Sequence, residues 1–283
     1  MLKTLRLYWP LIKAPQTGLL LATGIAGYLS AGPPDGLLTL LGLAATLLLA
    51  VSGSTVLNMH CDRDIDARMV RTCQRPLASG ALSSAEALWV GALLSVLGVV
   101  GAMVIDLRYG MVVLAGLFFD VVVYTLWLKR RTCWSIVWGG ISGAMPILSG
   151  RVLAAGRVDE IGILLALAVL FWIPTHILTF SIKYRADYAR AGVPTFPSTY
   201  GDTFTRGVIA VSSVLAALAI GWASVLIGLS AGWLGVLAVL TAGLLLLALA
   251  TFRFQSERVV FGLFKYASAY MFGAMVILST QAL

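Results

Sequence analysis

Charge is scarce in this 283-residue chain: 12 acidic and 20 basic residues make up 11% of it, against 60% apolar residues. Mean hydropathy is +0.95. That scarcity excludes a soluble domain, because no soluble domain of this size needs so much apolar surface. Cysteine occurs 3 times, as Cys61, Cys73 and Cys133. So few thiols, all expected in a reducing compartment, exclude a disulfide framework, and their spacing fits no zinc motif. They are expected to be ordinary small residues. Apolar and polar residues nowhere alternate as barrel strands require, which excludes a β-barrel. No internal repeat, low-complexity tract or cleavable signal peptide is evident, so the first apolar run is expected to be a genuine span.

What is there is a succession of apolar runs long enough to cross a bilayer as helices. They fall at 14–31, 37–59, 85–105, 109–128, 134–155, 161–182, 206–228, 232–252 and 261–280. The pattern predicts an all-α, polytopic membrane protein of nine transmembrane helices, forming a single domain over 1–283 with the lipid bilayer as its partner. Basic residues orient it. Counting alternate connections from the N-terminus, 17 of the 20 Lys and Arg residues fall on one side. Only Arg108, Arg151 and Arg157 fall on the other. The positive-inside rule places the N-terminus, with Lys3, Arg6 and Lys13, in the cytoplasm of a multi-pass protein of the cell membrane. The net charge of +8 is thus first a signal of topology. It also favours anionic lipid or diphosphate ligands. Nucleic acid is not expected as a partner, because the basic residues are divided among short loops. The extracytoplasmic turns are short, as in Gly32-Pro33-Pro34-Asp35-Gly36. The two longest polar connections, 60–84 and 183–205, are both cytoplasmic, and long connections in a compact bundle tend to carry function.

The first of these connections holds the most informative stretch, Asn58-Met59-His60-Cys61-Asp62-Arg63-Asp64-Ile65-Asp66. Asn58, Asp62 and Asp66 stand at i, i+4 and i+8, one stripe of a helix. Arg68, Arg71 and Arg75 follow at once. Paired carboxylates hold Mg²⁺ through oxygen, Mg²⁺ bridges phosphate oxygens, and arginine neutralises the remaining charge. A solvated loop is the plain alternative. The second connection carries Lys183 and Asp187 one turn apart, and likewise Tyr184 and Tyr188, before Gly192 and Pro194 end the helix. A simple ion pair with two interfacial tyrosines explains this equally well taken alone. Two such clusters on one membrane face can instead grip a diphosphate from both sides.

These residues resemble the UbiA-type intramembrane prenyltransferases, and within them the protoheme IX farnesyltransferase (heme O synthase) branch. The resemblance covers nearly the whole chain. It rests on Asn58-x-x-x-Asp62-x-x-x-Asp66 continuing through Arg71-Thr72 and Arg75-Pro76-Leu77 to Gly80. Further blocks are Tyr124-Thr125-Leu126-Trp127-Leu128-Lys129-Arg130-Arg131-Thr132, Gly143-Ala144-Met145-Pro146, and Asp187-Tyr188 with Ala191-Gly192-Val193-Pro194 and Pro197. The resemblance implies nine helices around a central cavity, Mg²⁺ dependence, and a farnesyl or other isoprenyl diphosphate as donor, with heme B or another prenyl acceptor. Several positions depart from the family pattern. Lys183 stands where many members begin a second Asp-x-x-x-Asp. The run before His176 is Trp172-Ile173-Pro174-Thr175, with one proline. Pro194-Thr195-Phe196-Pro197 replaces Pro-Met-Leu-Pro, and Arg151 replaces an aromatic residue.

The implied reaction is loss of diphosphate from an allylic carbon, helped by neutralising the developing charge. The catalytic set is then Asn58, Asp62, Asp66, Lys183 and Asp187. Asp62, Asp66, Asn58 and Asp187 are the metal candidates. Arg71, Lys129 and Lys183 are candidate diphosphate clamps, and Tyr124, Tyr184, Asp120 and His176 complete the substrate contacts. Asp187 either completes a second metal site or holds Lys183. Asp64 is expected to pair with Arg63 or Arg68. Asp120, deep in the fourth span, either serves the acceptor side or a carbocation, or is a hydrogen-bonded structural acid. His176 either touches heme iron or bonds between helices; His60 is the weaker candidate. No C-x-x-C-H run exists for covalent heme. Other acceptors, an aromatic quinone precursor or a lipid glycerol phosphate, stay open. A secondary transporter is a rival of another class, disfavoured because the acids gather at one face and not near the midplane. The spacing predicts that Asp62→Ala and Asp66→Ala each abolish prenyl transfer without unfolding the protein. Near-normal Mg²⁺-dependent turnover in both purified variants would remove the metal assignment.

Overall fold

A computed structural model describes residues 8–32, 36–254 and 256–280. Lys3, Arg6 and the turn residues Pro33, Pro34 and Asp35 lie outside the described residues. A short 3-10 turn, Trp9–Ile12, leads into eleven helices. These are α1 (Ala14–Leu29), α2 (Leu37–Cys61), α3 (Arg63–Arg68), α4 (Ser84–Ile105) and α5 (Leu107–Leu128). They continue as α6 (Ser135–Ala155), α7 (Glu160–Lys183), α8 (Arg185–Ala191), α9 (Phe196–Ile227), α10 (Ala231–Arg253) and α11 (Glu257–Ser279). Eight of them, α2, α4 to α7 and α9 to α11, are long and apolar enough to cross a bilayer. The ninth expected span is α1, which runs for 16 residues. The fold is therefore the expected all-α membrane bundle.

Three local features depart from the apolar pattern. Helix α9 begins at Phe196, ten residues before the apolar run at 206–228. Its start is set by chemistry that hydropathy does not register: the Thr195 hydroxyl accepts from the Ser198 amide, and the Ser198 hydroxyl accepts from the Thr195 amide. Gly201, at φ 79 and ψ 171, then breaks the helix once. The two long polar connections are not bare loops, since they contain α3 and α8. In α5 the second half, Phe118–Leu128, is π-helical, a form frequent at functional sites.

Among the described residues four apolar clusters form the core, two of them small and at the acidic end, around Val56 and Leu82 and around Ile65 and Val193, and two larger. One packs α7, α9, α10 and α11 around Leu165, Trp172, Ile209, Ile220 and Tyr270. The other packs α1, α2, α4 and α5 around Tyr28, Leu43, Leu47, Val99 and Tyr109. Large apolar side chains such as Leu38, Trp89, Val104 and Val239 stay exposed, as lipid-facing residues do. Because lipid is as apolar as leucine, membrane helices associate by close approach of small residues and by interhelical hydrogen bonds. Both devices are present. The Thr175 and Ser213 hydroxyls join α7 to α9 at 2.9 Å. Helices α1 and α6 lie so close that a Cβ on Gly150 would overlap the Gly24 carbonyl oxygen.

The end remote from the acidic stripe is tied by Arg151, which is 7% exposed. Its guanidinium donates to the Ser30 carbonyl at 2.6 Å and to Asp159 at 2.7 Å. Asp159 also caps α7 by accepting from the Gly162 amide at 2.8 Å. The Arg151 departure is thus a three-part tie between α1, α6 and α7. At the acidic end, Arg206 is not a free loop charge but lies buried in α9, donating to the Thr251 carbonyl near the end of α10.

Since the atom a Gly150 Cβ meets is backbone, neither helix can yield by a rotamer change. Gly150→Ala is expected to cost about 3 kcal/mol, the upper end for overpacking, and to lower the melting temperature in detergent. Gly235→Ala, where a Cβ meets open space, is the control. Equal melting temperatures for the two variants would refute the close-approach argument.

Candidate active site

The stripe begins where α2 stops. Asp62 sits between α2 and α3 at φ −94 and ψ 4. The helical hydrogen bonds nevertheless continue across it, from the Asp62 amide to the Asn58 carbonyl at 2.9 Å and from the Asp66 amide to the Asp62 carbonyl at 2.8 Å. Asn58, Asp62 and Asp66 therefore keep one face, and all three are buried. Each acid of this segment has its own cation. The Lys129 ammonium donates to Asp62 Oδ2. One Arg75 nitrogen donates to both Asp66 oxygens, at 3.0 and 2.8 Å. Asp64 pairs with Arg130, through two bonds at 2.7 and 2.6 Å, in place of the expected Arg63 or Arg68. The reason is that Arg63 turns back to the His60 carbonyl at 2.9 Å, while Arg130 also reaches the Cys61 carbonyl at 2.8 Å. This fork holds the Asp64 carboxyl down to about 2. His60 is engaged by Ser84, whose carbonyl lies 2.9 Å from Nδ1.

One atom stands out. Asp62 Oδ1 is buried with no hydrogen-bond partner among the described residues. A buried carboxylate oxygen in that state is costly unless a ligand completes it. Among the described residues no three His, Cys, Asp or Glu side chains converge as a ready-made metal cluster. A hard divalent cation would therefore rest on one or two carboxylates, Asp62 first and Asp66 beside it, and draw its other oxygens from a phosphate ligand and water. That is the ordinary mode of such ions, so the residues present fit one. Asn58 is otherwise engaged: its Oδ1 accepts from the Thr125 hydroxyl at 2.8 Å, and its amide donates to Asp120 at 2.8 Å.

Asp120 accepts from the Ser54 hydroxyl as well. It also lines a cavity of about 550 Å³ that lies among α1, α2, α5, α6, α7 and α11. Both readings of this residue thus have a basis, since it is hydrogen-bonded and it faces the cavity. Tyr124 lines the same cavity, and the Lys129 ammonium stands 5.4 Å from its ring centroid. Asp120 and Tyr124 thereby join the charged end to the cavity. Burial pulls the Lys129 pKa down, but Tyr124 and Asp62 outweigh it and hold it above the usual lysine value. On the opposite wall His176 is stacked between Trp172, at 4.8 Å, and Phe264, at 4.4 Å. Its Nδ1 lies 3.2 Å from the Ser268 hydroxyl. Among the described residues no hydrogen bond engages its Nε2.

Lys183 and Asp187 do not pair with each other. Asp187 accepts from the backbone amides of Val70 and Arg71, both at 3.3 Å, and from Arg190 at 3.0 Å. It ties α8 to the segment after α3, and the carboxylate meets that segment before it meets any metal site. The Lys183 ammonium stands 3.3 Å from the Phe261 ring centroid and 5.4 Å from that of Tyr184. The Arg71 guanidinium lies over Phe180 at 4.8 Å and Tyr184 at 5.5 Å. A residue read only as a topology charge feels the charges of this end too. Lys13, just before α1, has a left-handed φ of 45. Burial, then the charges of Arg75 and Lys129, push its ammonium down to about 8, while Asp120 and Asp62 oppose the shift. The sequence signal was faint: Pro15 marks a helix start, which makes Lys13 its N-cap.

If Asp187 tethers residues 70 and 71, Asp187→Asn should accelerate amide exchange at those two positions roughly tenfold, because a charge-assisted acceptor is lost. Protection across α2 should persist. Hydrogen-exchange mass spectrometry reads this directly, and unchanged exchange at Val70 and Arg71 would refute the tether.

Comparison with known proteins bears on this arrangement. The profile of the UbiA prenyltransferase family matches residues 19–274. A protoheme IX farnesyltransferase of Korarchaeum cryptofilum is 44% identical over 205 residues, 72% of this chain and 69% of the relative. One from Archaeoglobus fulgidus is 41% identical over 209 residues, 73% of each. Among solved structures, one described as digeranylgeranylglyceryl phosphate synthase superposes with a TM-score of 0.81 at 19% identity, covering 99% of both chains. A UbiA homologue from Archaeoglobus fulgidus, bound to GPP and Mg²⁺, superposes with a TM-score of 0.71 at 15% identity, covering 96% of this chain and 99% of that one. At such identities the solved structures speak for the fold alone. The match over 19–274 and the relatives above 40% identity do more: the chain belongs to the UbiA prenyltransferase family.

Proposed function

We propose that this chain transfers a farnesyl group from farnesyl diphosphate to protoheme IX, giving heme O, with Mg²⁺ held at Asp62 and Asp66. The active site and N-terminus face the cytoplasm. The observation that carries this reading is the junction of two unlike compartments through shared residues. Asp120 and Tyr124 line an apolar cavity suited to a prenyl tail, and they touch Asn58 and Lys129 at a charged mouth suited to a diphosphate. Hydrocarbon and diphosphate of one donor molecule need that pairing. The relatives named protoheme IX farnesyltransferase support the choice of acceptor. The distribution of 17 of 20 basic residues on one side supports the orientation.

In the reaction the bond between the allylic carbon and the diphosphate oxygen breaks, and its electron pair leaves with the diphosphate. A vinyl carbon of the acceptor bonds to the allylic carbon. Water adds its oxygen to the other vinyl carbon and releases a proton, giving a hydroxyethylfarnesyl side chain. No protein nucleophile takes part. When bound, Mg²⁺ supplies positive charge to the leaving diphosphate. Lys129 and Arg75 hold Asp62 and Asp66 in place and add positive charge at the mouth. Lys13 stands where it adds a further cation. The cavity wall excludes water from the allylic centre until the new carbon bond exists. His176, held by its stacking and by Ser268, offers Nε2 to the acceptor's iron.

Incubating the purified protein with Mg²⁺, farnesyl diphosphate and separate candidate acceptors should give heme O by mass, and no product with an aromatic acid or a glycerol phosphate. The reverse pattern would overturn the acceptor. His176→Ala is expected to weaken heme binding at least tenfold, through loss of an axial ligand, and to leave farnesyl diphosphate affinity within about twofold. Unchanged heme titration in that variant would return His176 to a purely structural role.

A further inference from the structure

Some cations at this end of the bundle hold a carboxylate and others, Lys13, Arg63 and Arg206 among them, hold none among the described residues; what sets three of the latter apart is a shared aromatic surface. Lys129, Arg75, Arg130, Arg185 and Arg190 each hold a carboxylate. The side chains of Arg71, Lys183 and Lys265 hold none among the described residues. These three gather on one aromatic surface. Lys183 and Lys265 flank the Phe261 ring, at 3.3 and 5.1 Å from its centroid. Arg71 covers Phe180 at 4.8 Å. Phe261 contacts Phe264 at 5.5 Å, Phe264 contacts Phe180 at 5.6 Å, and Phe264 stacks on His176 at 4.4 Å. A continuous strip of rings thus runs from the cavity wall at His176 to three cations that hold no carboxylate among the described residues. Along α7, positions 176, 180 and 183 share one face, and the rise from His176 to Lys183 is about 10 Å.

We infer that Arg71, Lys183 and Lys265 form a clamp for the carboxylates of the acceptor: the strip receives a flat aromatic macrocycle, and the cations receive two carboxylates from one of its edges. This rests on the reading of protoheme as acceptor and adds what selects it. Protoheme has the required layout, a metal at its centre and both propionates on one side. With the iron at His176, the propionates extend past the edges of Phe264 and Phe180 toward Lys183, about 10 Å along α7. The donor's diphosphate is served by Asp62, Asp66, Lys129 and Arg75, so the charged groups of the two substrates meet different sets of side chains. The assignment moves Lys183 from the donor to the acceptor. It also gives a reason for the lysine where many family members carry an aspartate: a carboxylate there would repel a propionate.

The test is a heme titration, followed by the Soret band, of the full-length protein in detergent with protoheme IX and with its dimethyl ester, in which both propionates are capped. The wild type should bind protoheme at least tenfold more tightly than the ester, the size expected for a lost charge-assisted contact. Lys183→Met should lose most of that preference by weakening protoheme and sparing the ester. Lys183→Glu should favour the ester. Farnesyl diphosphate affinity, measured on the same preparations, should stay within about twofold and also reports that the variants are folded. Equal binding of protoheme and ester by the wild type overturns the clamp and leaves the heme reading intact. Loss of diphosphate affinity in Lys183→Met, with protoheme binding unchanged, returns the lysine to the donor and overturns the clamp. A wild type that binds neither compound overturns the heme reading and the clamp with it.

Discussion

A carboxylate at the edge of hydrocarbon must meet a cation, and that requirement organises the acidic end of this bundle. Desolvating a charge costs several kcal/mol, and removing one partner from a buried pair costs about 3–5 kcal/mol. Asp62 and Asp66, both under 10% exposed, therefore dictate where Lys129 and Arg75 must lie. Lys129 comes from the end of α5, so its pairing with Asp62 locks α5 to the end of α2. Arg75 comes from the segment after α3 and folds that segment back over α3. Asp187 then holds the same segment from the other side, through the amides of residues 70 and 71. The polar connection 60–84 is thus ordered from both walls of the mouth, although little of it is long regular structure.

The same rule closes the opposite end differently. There the buried cation is Arg151 and the acid is Asp159, with the Ser30 carbonyl as third member. This group is satisfied within the protein, and none of its side-chain atoms is left buried without a partner. At the acidic end two ionic side-chain atoms remain buried without a partner among the described residues, Asp62 Oδ1 and Arg206 Nε. Two ends built from the same residue types differ in whether they are internally satisfied. An unsatisfied ionic group is where a ligand gains most by binding, and the asymmetry therefore supports the proposal that the chemistry takes place at the mouth.

Much of this is legible in the sequence, because helices and stripes are periodic. Among the described residues the apolar runs locate the eight helices long enough to cross a bilayer and also the shorter α1, and spacing by four puts Asn58, Asp62 and Asp66 on one face. What escapes periodicity is pairing across distance. Nothing in the chain says that Asp64 will meet Arg130 and not Arg68, since that choice depends on how α3 sits against the end of α5. Asp187 and Lys183 share a helical spacing, yet they part because Tyr184 lies between α7 and α8 as a junction and turns the second helix away. The early start of α9 is hidden because a capping box is polar and a hydropathy window averages over it. Lys13 is absorbed into a charge count, which says nothing of its neighbourhood.

The amide at position 58 shows how closely the two compartments constrain each other. Its nitrogen donates to Asp120 at 2.8 Å while its oxygen accepts from Thr125 at 2.8 Å. A carboxylate there would set two acceptors at hydrogen-bond distance with no donor between them. An apolar residue would leave both Asp120 and Thr125 short of a partner. Only a side chain that donates and accepts at once can bridge α2 to α5 at this depth. That bridge orients Asp120, which carries the polarity of the mouth one step into the cavity. The π-helical widening of α5 is compatible with this task. It begins at Phe118, two residues before Asp120, and its last bond runs from the Lys129 amide to the Tyr124 carbonyl at 2.8 Å. The stretch that departs from α-helical geometry is therefore the stretch that supplies Asp120, Tyr124, Thr125 and, at its end, Lys129.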